Sequence, residues 1–172
     1  MPPVEIREAQ MEDTDAIWAI FKAVIQTGDT YVYSPDTPHS DLGQYWLAPH
    51  MRTYVAEVEG EVVGTYIMKA NHPGLGSHVA NASYMVHPVA QGKGVGTAMC
   101  AHSLAEARRL GFRAIQFNLV VSTNKAAVHL WSKMGFAVVG TLPEAFHHQD
   151  LGYVDAYVMY RSLMDHDKLA NR

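Results

Sequence analysis

The chain has 172 residues, 48% of them apolar, enough for one compact domain over residues 1–172 with a real core. A formal net charge of −4 gives no electrostatic reason to expect nucleic acid or an anionic membrane surface as a partner. The single cysteine, Cys100, excludes an intramolecular disulfide and fits a reducing compartment, and no segment is long and apolar enough to cross a bilayer. In chain order, Val4 and Ile6 followed by Arg7-Glu8 read as a short first strand. Asp13 and Thr14 can cap a helix in which Ala16, Ile17, Ile20, Phe21 and Val24 recur at helical spacing. From Thr27 to Ser40 the chain becomes a loop of Gly, Asp, Pro and Tyr, with Tyr31 and Tyr33 as its aromatics. A second short helix follows around Asp41 to Leu47.

Tyr54–Val58 and Val62–Ile67 read as a hairpin around Glu59-Gly60-Glu61. After a Pro/Gly loop at Asn71–Gly76, a strand is predicted from about His78 to Val86, stopped at His87-Pro88. A helix from about Val95 to Leu110 carries Cys100, Leu104, Ala107 and Leu110 on one face and ends at Gly111. Ala114–Val121 is a strand. Thr123 or Asn124 caps a helix with Ala127, Leu130, Trp131 and Met134 on one side, and Gly135 stops it. Phe136–Gly140 and Val154–Tyr160 are the last strands, separated by a loop holding His147 and His148. The order is strand, two helices, three strands, helix, strand, helix, two strands, which predicts a mixed α/β sheet and not a doubly wound parallel one.

The most informative stretch is Met85-Val86-His87-Pro88-Val89-Ala90-Gln91-Gly92-Lys93-Gly94-Val95-Gly96-Thr97, which joins a strand directly to a helix. Glycines at alternate positions let the backbone approach a ligand and turn successive N–H groups inward. The helix N-terminus adds unpaired donors and partial positive charge, so a diphosphate is the natural occupant, with Lys93 adding charge at the rim. The pattern is neither the dinucleotide Gly-x-Gly-x-x-Gly nor a P-loop, and the plain alternative is a flexible turn capping a helix. Ten histidines include no His-x-x-x-His pair and no Cys/His cluster, so no metal is predicted.

Gln91-x-x-Gly94-x-Gly96 resembles the pyrophosphate loop of the GCN5-related N-acetyltransferase (GNAT) superfamily. Asn124-Lys125-Ala126-Ala127-Val128-His129-Leu130-Trp131-Ser132-Lys133-Met134-Gly135-Phe136 is similar to that family's second motif, Asn-x-x-Ala-x-x-Leu-Tyr-x-x-x-Gly-Phe. The resemblance implies the GNAT fold, a mostly antiparallel sheet splayed between its fourth and fifth strands. It implies acetyl-coenzyme A as cosubstrate, its pantetheine held by backbone groups around Met85 and Val86 and by Asn124, beside Trp131. Its diphosphate would be held by Gln91, Gly92, Lys93, Gly94, Val95, Gly96 and Thr97. An amine then attacks the thioester directly, with catalysis from positioning and a preorganised oxyanion donor. Cys100 is then a core residue and not a nucleophile.

The chain departs from the family at both proton-handling positions. The tyrosine that often protonates the leaving thiolate is Trp131 here, whose indole N–H donates a hydrogen bond without releasing a proton. A thiol of pKa ~8.5 leaves as thiolate at a penalty of only ~2 kcal/mol at pH 7. Trp131 also reads simply as core. The glutamate many relatives place on the fourth strand aligns with Asn81, leaving Glu57, His78 or a water chain as alternatives, or a substrate that binds neutral. Asn81, Asn118 and Asn124, with the run Phe117-Asn118-Leu119-Val120, resemble a subgroup of the family that acetylates the proline analogue L-azetidine-2-carboxylate. That likeness casts all three asparagines as catalytic, Asn81 and Asn118 holding the substrate, although Val121-Ser122 and the region before His78 do not match. Asn118 as a buried, satisfied sheet asparagine and Asn124 as a plain helix cap are the blander readings.

Tyr31, Tyr33 and Trp46 from the early loop and helix, with Phe146, His147 and His148 from the late loop, are the candidate acceptor pocket. The predicted activity is acetyl transfer to the amine of a small molecule, an amino acid or its analogue. Acetylation of a protein or antibiotic amine, or acetyl-coenzyme A binding without turnover, are the alternatives. The N-terminal Met-Pro-Pro-Val-Glu-Ile does not resemble a secretion signal, so a cytoplasmic protein is expected, and a homodimer is compatible with the resemblance.

Overall fold

A computed structural model describes residues 2–164 of the chain; Met1 and residues 165–172, included in the domain expected over 1–172, lie outside the described residues. The elements run β1 (Val4–Glu8), α1 (Thr14–Ile25), α2 (Leu42–Trp46), β2 (Arg52–Val58), β3 (Glu61–Ala70), β4 (Val79–Val86), α3 (Val95–Arg109), β5 (Ala114–Val121), α4 (Lys125–Lys133), β6 (Ala137–His148) and β7 (Gly152–Ser162). The seven strands form one sheet in the order β1-β2-β3-β4-β5-β7-β6. Every neighbouring pair is antiparallel except β4 and β5.

The period-2 alternation of the central strands divides the core between the two faces. Val55, Ile67 and Met85 join Ile17, Phe21 and Trp46 beneath α1 and α2. Tyr54, Tyr66 and Tyr84, one residue out of step, join Met99, Cys100 and Trp131 on the side of α3 and α4. These three tyrosines stack across β2, β3 and β4, with centroids 4.6 and 5.4 Å apart. Each hydroxyl is satisfied from α3: Tyr54 by Glu106, Tyr66 by His102 and Tyr84 by Ser103. Cys100 is fully buried here, and burial pushes its thiol up to about 12, which leaves no thiolate for nucleophilic chemistry.

Three local expectations are corrected. Asp13 precedes α1 but does not cap it with its side chain. Its carboxylate instead takes two bonds from Arg7, at 2.7 and 2.9 Å, and one from the Gln10 N–H at 2.7 Å. The sixth strand is longer than predicted, reaching His148, so Phe146, His147 and His148 belong to a strand and not a loop. Pro143, the positive φ of Glu144 and a register shift between Leu142 and Phe146 hide that continuity from a sequence pattern. Asp155 holds the bulge by accepting the Glu144 N–H at 2.9 Å. Finally, Trp46 is wholly buried, its indole donating to Thr65 Oγ1 at 3.0 Å, and so is core and not pocket.

Candidate active site

The site originates in an interrupted sheet. β4 and β5 pair only at Val79–Ala114, Ala80–Ile115 and Asn81–Gln116, and then separate. Toward β3 the bonds of β4 fall on odd-numbered residues, as the Asn71 N–H to Val79 C=O and His87 N–H to Val63 C=O bonds at 2.8 Å show. Alternation therefore turns the main-chain groups of Ala82, Tyr84 and Val86 into the gap, where no strand receives them. Met85, expected to offer its backbone here, faces β3 with it and sends its side chain under α1. The Val86 main chain is open to a ligand along the large cavity, whereas both main-chain groups of Tyr84 are bonded to the Tyr31 hydroxyl.

A cavity of about 800 Å³ runs from this gap to the N-terminus of α3. Gln91, Gly92, Gly94, Val95, Gly96 and Thr97 border it, with Met85 and Val86 along one wall and Asn124 and Trp131 along the other. Gly92 and Gly94 have φ of +74° and +80°, a conformation open to glycine at little cost. No side chain caps α3 at Gly94, so the first-turn N–H groups of this 15-residue helix point outward unpaired by any cap. At Gly96 the reason is space: a Cβ would lie 3.3 Å from Leu130 Cδ2. An elongated cavity ending in glycine-backed donors at a helix N-terminus fits a diphosphate-bearing cosubstrate. Lys93 is not brought to it; that residue borders a different hollow with His87, Glu59 and Glu61.

A second, smaller cavity of about 210 Å³ opens on the other side of the gap and is lined by Tyr31, Tyr33, Asn81, Ser83, Asn118, Asn124 and Trp131, among others. The structure thus gathers all three predicted asparagines at one place. Asn81 stands on the last paired rung and donates to the Gln116 C=O at 3.1 Å. Asn118 lies where the β5–β7 register shifts and is exposed, not sealed within the sheet. Its oxygen accepts from Gln116 Nε2 at 2.9 Å and its nitrogen donates to Asn71 Oδ1 at 2.7 Å. Asn124 caps α4, its oxygen accepting the Ala127 N–H at 3.2 Å, while the residue borders both cavities. Trp131 is 9% exposed and packs on Tyr84 and Phe117, each with ring centroids 4.9 Å away, so it is core and wall together.

The remaining candidates separate cleanly. Tyr31 and Tyr33 reach the small cavity, and Tyr31 borders the large one too. His147 does not: strand alternation turns it outward, stacked on Tyr153 at 4.5 Å, while His148 is buried on the opposite face beside Asp29, Thr30 and Thr123. Glu57 is engaged by Arg7 on β2, and His78 precedes β4 at the closed end of the gap. Among the described residues, no carboxylate and no histidine lines the small cavity. Sequence reasoning missed Asn71, Gln116, Ser83 and Tyr84. Only the amide side chains of the first two offered a signal, and their proximity to Asn118 depends on the sheet order.

A family model described as "Acetyltransferase (GNAT) family" matches residues 16–136. Among solved structures, a GCN5-related N-acetyltransferase from Kribbella flavida is similar with a TM-score of 0.88 and 45% sequence identity, over 92% of this chain and 97% of that one. The N-acetyltransferase aca1 of Schizosaccharomyces pombe is 34% identical over 114 residues, 64% of this chain. This chain spans about half of that relative, 54% of its length. The L-amino acid N-acetyltransferase AaaT of Escherichia coli is 29% identical over 166 residues, 94% of this chain and 99% of that protein.

Proposed function

The chain belongs to the acetyltransferase (GNAT) family, and from that premise we propose that it moves the acetyl group of acetyl-coenzyme A onto the amine of a small molecule, an amino acid or amino-acid analogue, as one domain over residues 1–172 acting in the cytoplasm. The observation that carries this reading is the meeting of two cavities at an open sheet edge. The long one ends at the glycine-backed N-terminus of α3, and the short one is lined by amides and tyrosines. Donors from Gln91 to Thr97 hold the diphosphate, and the Val86 main chain receives the pantetheine arm, joined by that of Tyr84 when the Tyr31 hydroxyl releases it. At about 210 Å³, the acceptor cavity suits a molecule of amino-acid size better than a protein segment.

Asn81, Asn118 and Asn124 bind and orient in this scheme and carry no proton. Uncharged donors at Asn81 and Asn118 are suited to a carboxylate, in keeping with an amino-acid acceptor and with the azetidine-2-carboxylate likeness of the asparagine pattern. The activity of AaaT, an L-amino acid N-acetyltransferase by name, supports the same class. With no carboxylate or histidine among the described residues lining the small cavity, the acceptor amine reaches the thioester already neutral, and positioning supplies the acceleration. Thiol release from acetyl-coenzyme A against azetidine-2-carboxylate, proline analogues, amino-acid sulfoximines and polyamines tests the proposal. Turnover confined to acceptors bearing a carboxylate supports it; turnover only with polyamines overturns the amino-acid part.

A further inference from the structure

Ser83 lines the small cavity two residues beyond Asn81 on the same strand. Alternation gives the two side chains one face of β4, and their partners on β3 identify it. Ile67, paired with Ser83, belongs to the cluster under α1 and α2. Tyr84 turns its side chain to the opposite face, where its hydroxyl is bonded to Ser103. Ser83 therefore carries the hydroxyl that β4 and β5 present to the cavity. Among the described residues it forms no hydrogen bond, whereas Asn81, Asn118 and Asn124 are each bonded within the protein. The bond from Asn81 to the Gln116 C=O settles which way that amide points, because a carbonyl only accepts. The nitrogen of Asn81 thus lies toward β5 with one N–H left over. Along β4 the order is an amide at Asn81, a free hydroxyl at Ser83 and, past Tyr84, the Val86 main chain at the large cavity.

Resting on the amino-acid reading above, we propose that Ser83 is a catalytic residue whose hydroxyl oxygen accepts the N–H of the acceptor amine while Asn81 holds the acceptor's carboxylate, so that β4 measures the spacing between the two groups. A strand rises about 3.3 Å per residue, which sets Ser83 about 6.6 Å from Asn81. An α-amino acid spans about 3 Å from nitrogen to carboxylate oxygen, and an angled hydrogen bond of about 2.9 Å at each end closes that distance. A neutral amine attacks through its lone pair. A group donating to the nitrogen would occupy that pair, whereas an oxygen accepting from it leaves the pair free and limits its direction. A serine hydroxyl can accept the N–H and give its own proton to the carboxylate at once, and the two bonds reinforce each other. In a cyclic imino acid the single N–H is taken by Ser83, so one direction remains for the lone pair. The amine then lies on the side of Asn81 nearer Val86, where the cosubstrate arrives.

The test compares kcat/KM of the full chain and of Ser83→Ala with azetidine-2-carboxylate and azetidine-3-carboxylate, isomers that differ by one carbon in the spacing of amine and carboxylate. The parent is expected to favour the 2-isomer at least about tenfold. Ser83→Ala is expected to lower kcat/KM for that isomer about tenfold or more and to bring the preference within about threefold, with coenzyme A affinity within about twofold of the parent on calorimetric titration. Ser83→Thr restores a hydroxyl at the same place and is expected to recover most of the rate. An unchanged kcat/KM for the 2-isomer in Ser83→Ala overturns the proposal, and so does an equal loss for both isomers. Equal losses in Ser83→Ala and Ser83→Thr trace the effect to packing and overturn it too. Should Ser83→Ala fail to fold, Ser83→Cys replaces the oxygen with a weak acceptor; the same loss is expected, and its absence overturns the proposal. Turnover of polyamines but of neither isomer by the parent overturns the amino-acid reading beneath the proposal, and is told apart by appearing before any substitution.

Discussion

Asn118 donates its side-chain amide to Asn71 Oδ1 at 2.7 Å, which ties β5 at its irregular point to the loop that leaves β3. Because Asn118 borders the smaller cavity and Asn71 does not, the proposed function makes the first a binding side chain and the second one that positions it. Asn118→Ala is expected to raise the acceptor KM about tenfold while costing about 1 kcal/mol or less in stability, since its bonds are exposed. Asn71→Ala is expected to raise KM less and to leave acetyl-coenzyme A affinity unchanged. Steady-state kinetics alongside thermal melts check both; a lowered Tm with an unaltered KM in Asn118→Ala assigns the residue to the sheet alone.

Gly94 has a left-handed backbone and open space where a Cβ would stand. Gly94→Glu strains that backbone by about 1–2 kcal/mol and sets a carboxylate among the donors at the start of α3. Acetyl-coenzyme A affinity is expected to fall at least about tenfold, ~1.4 kcal/mol, on calorimetric titration. Gly94→Asn tolerates the left-handed conformation without adding charge and is expected to bind nearly normally. Equal losses in the two variants would trace the effect to the backbone and not to charge.

With no carboxylate or histidine among the described residues that line the smaller cavity, the proposed function makes the pH profile a property of the acceptor. Below the pKa of the amine, kcat/KM is expected to rise by about one log unit per pH unit, because only the neutral fraction reacts. Replacing the acceptor with one of lower amine pKa should slide the profile to lower pH by the same difference. A midpoint that stays fixed across acceptors reveals an enzyme base and contradicts this account.

Outside the site, Glu106 is held down to about 2 by the Arg109 guanidinium, with the Tyr54 hydroxyl adding to the effect. The folded value lies below the ordinary carboxylate value of about 4.5, so the pair stabilises the protein above that pH. The contribution is lost as pH falls from about 4.5 toward 2. Asp13, lowered chiefly by its bonds from Arg7, acts in the same direction. Urea midpoints at pH 7 and pH 3 should therefore differ, and Glu106→Gln should narrow the difference. An undiminished gap would place the acid sensitivity elsewhere.

Much of the fold was legible because the signals are local. The helical spacing of Ile17, Phe21 and Val24, the Gly60 turn, and Gly111 and Gly135 after their helices each act within a few residues. The glycine loop was legible for the same reason. What escaped depends on the sheet as a whole. Whether Tyr84 or Met85 offers its main chain to the gap follows from the pairing of β4 with β3, which no single strand records. Lys93 and His147 carry suitable chemistry, but the turn and the strand parity point them elsewhere. The Tyr31–Tyr84 bond spans two distant segments that share no pattern, so nothing in the spacing announces it.

Trp131 carries one further implication. Of the three indoles in the chain, it borders both cavities, whereas Trp18 and Trp46 belong to the cluster under α1 and α2. That indole therefore gives this protein a native optical probe, placed to report what enters either cavity from a single position.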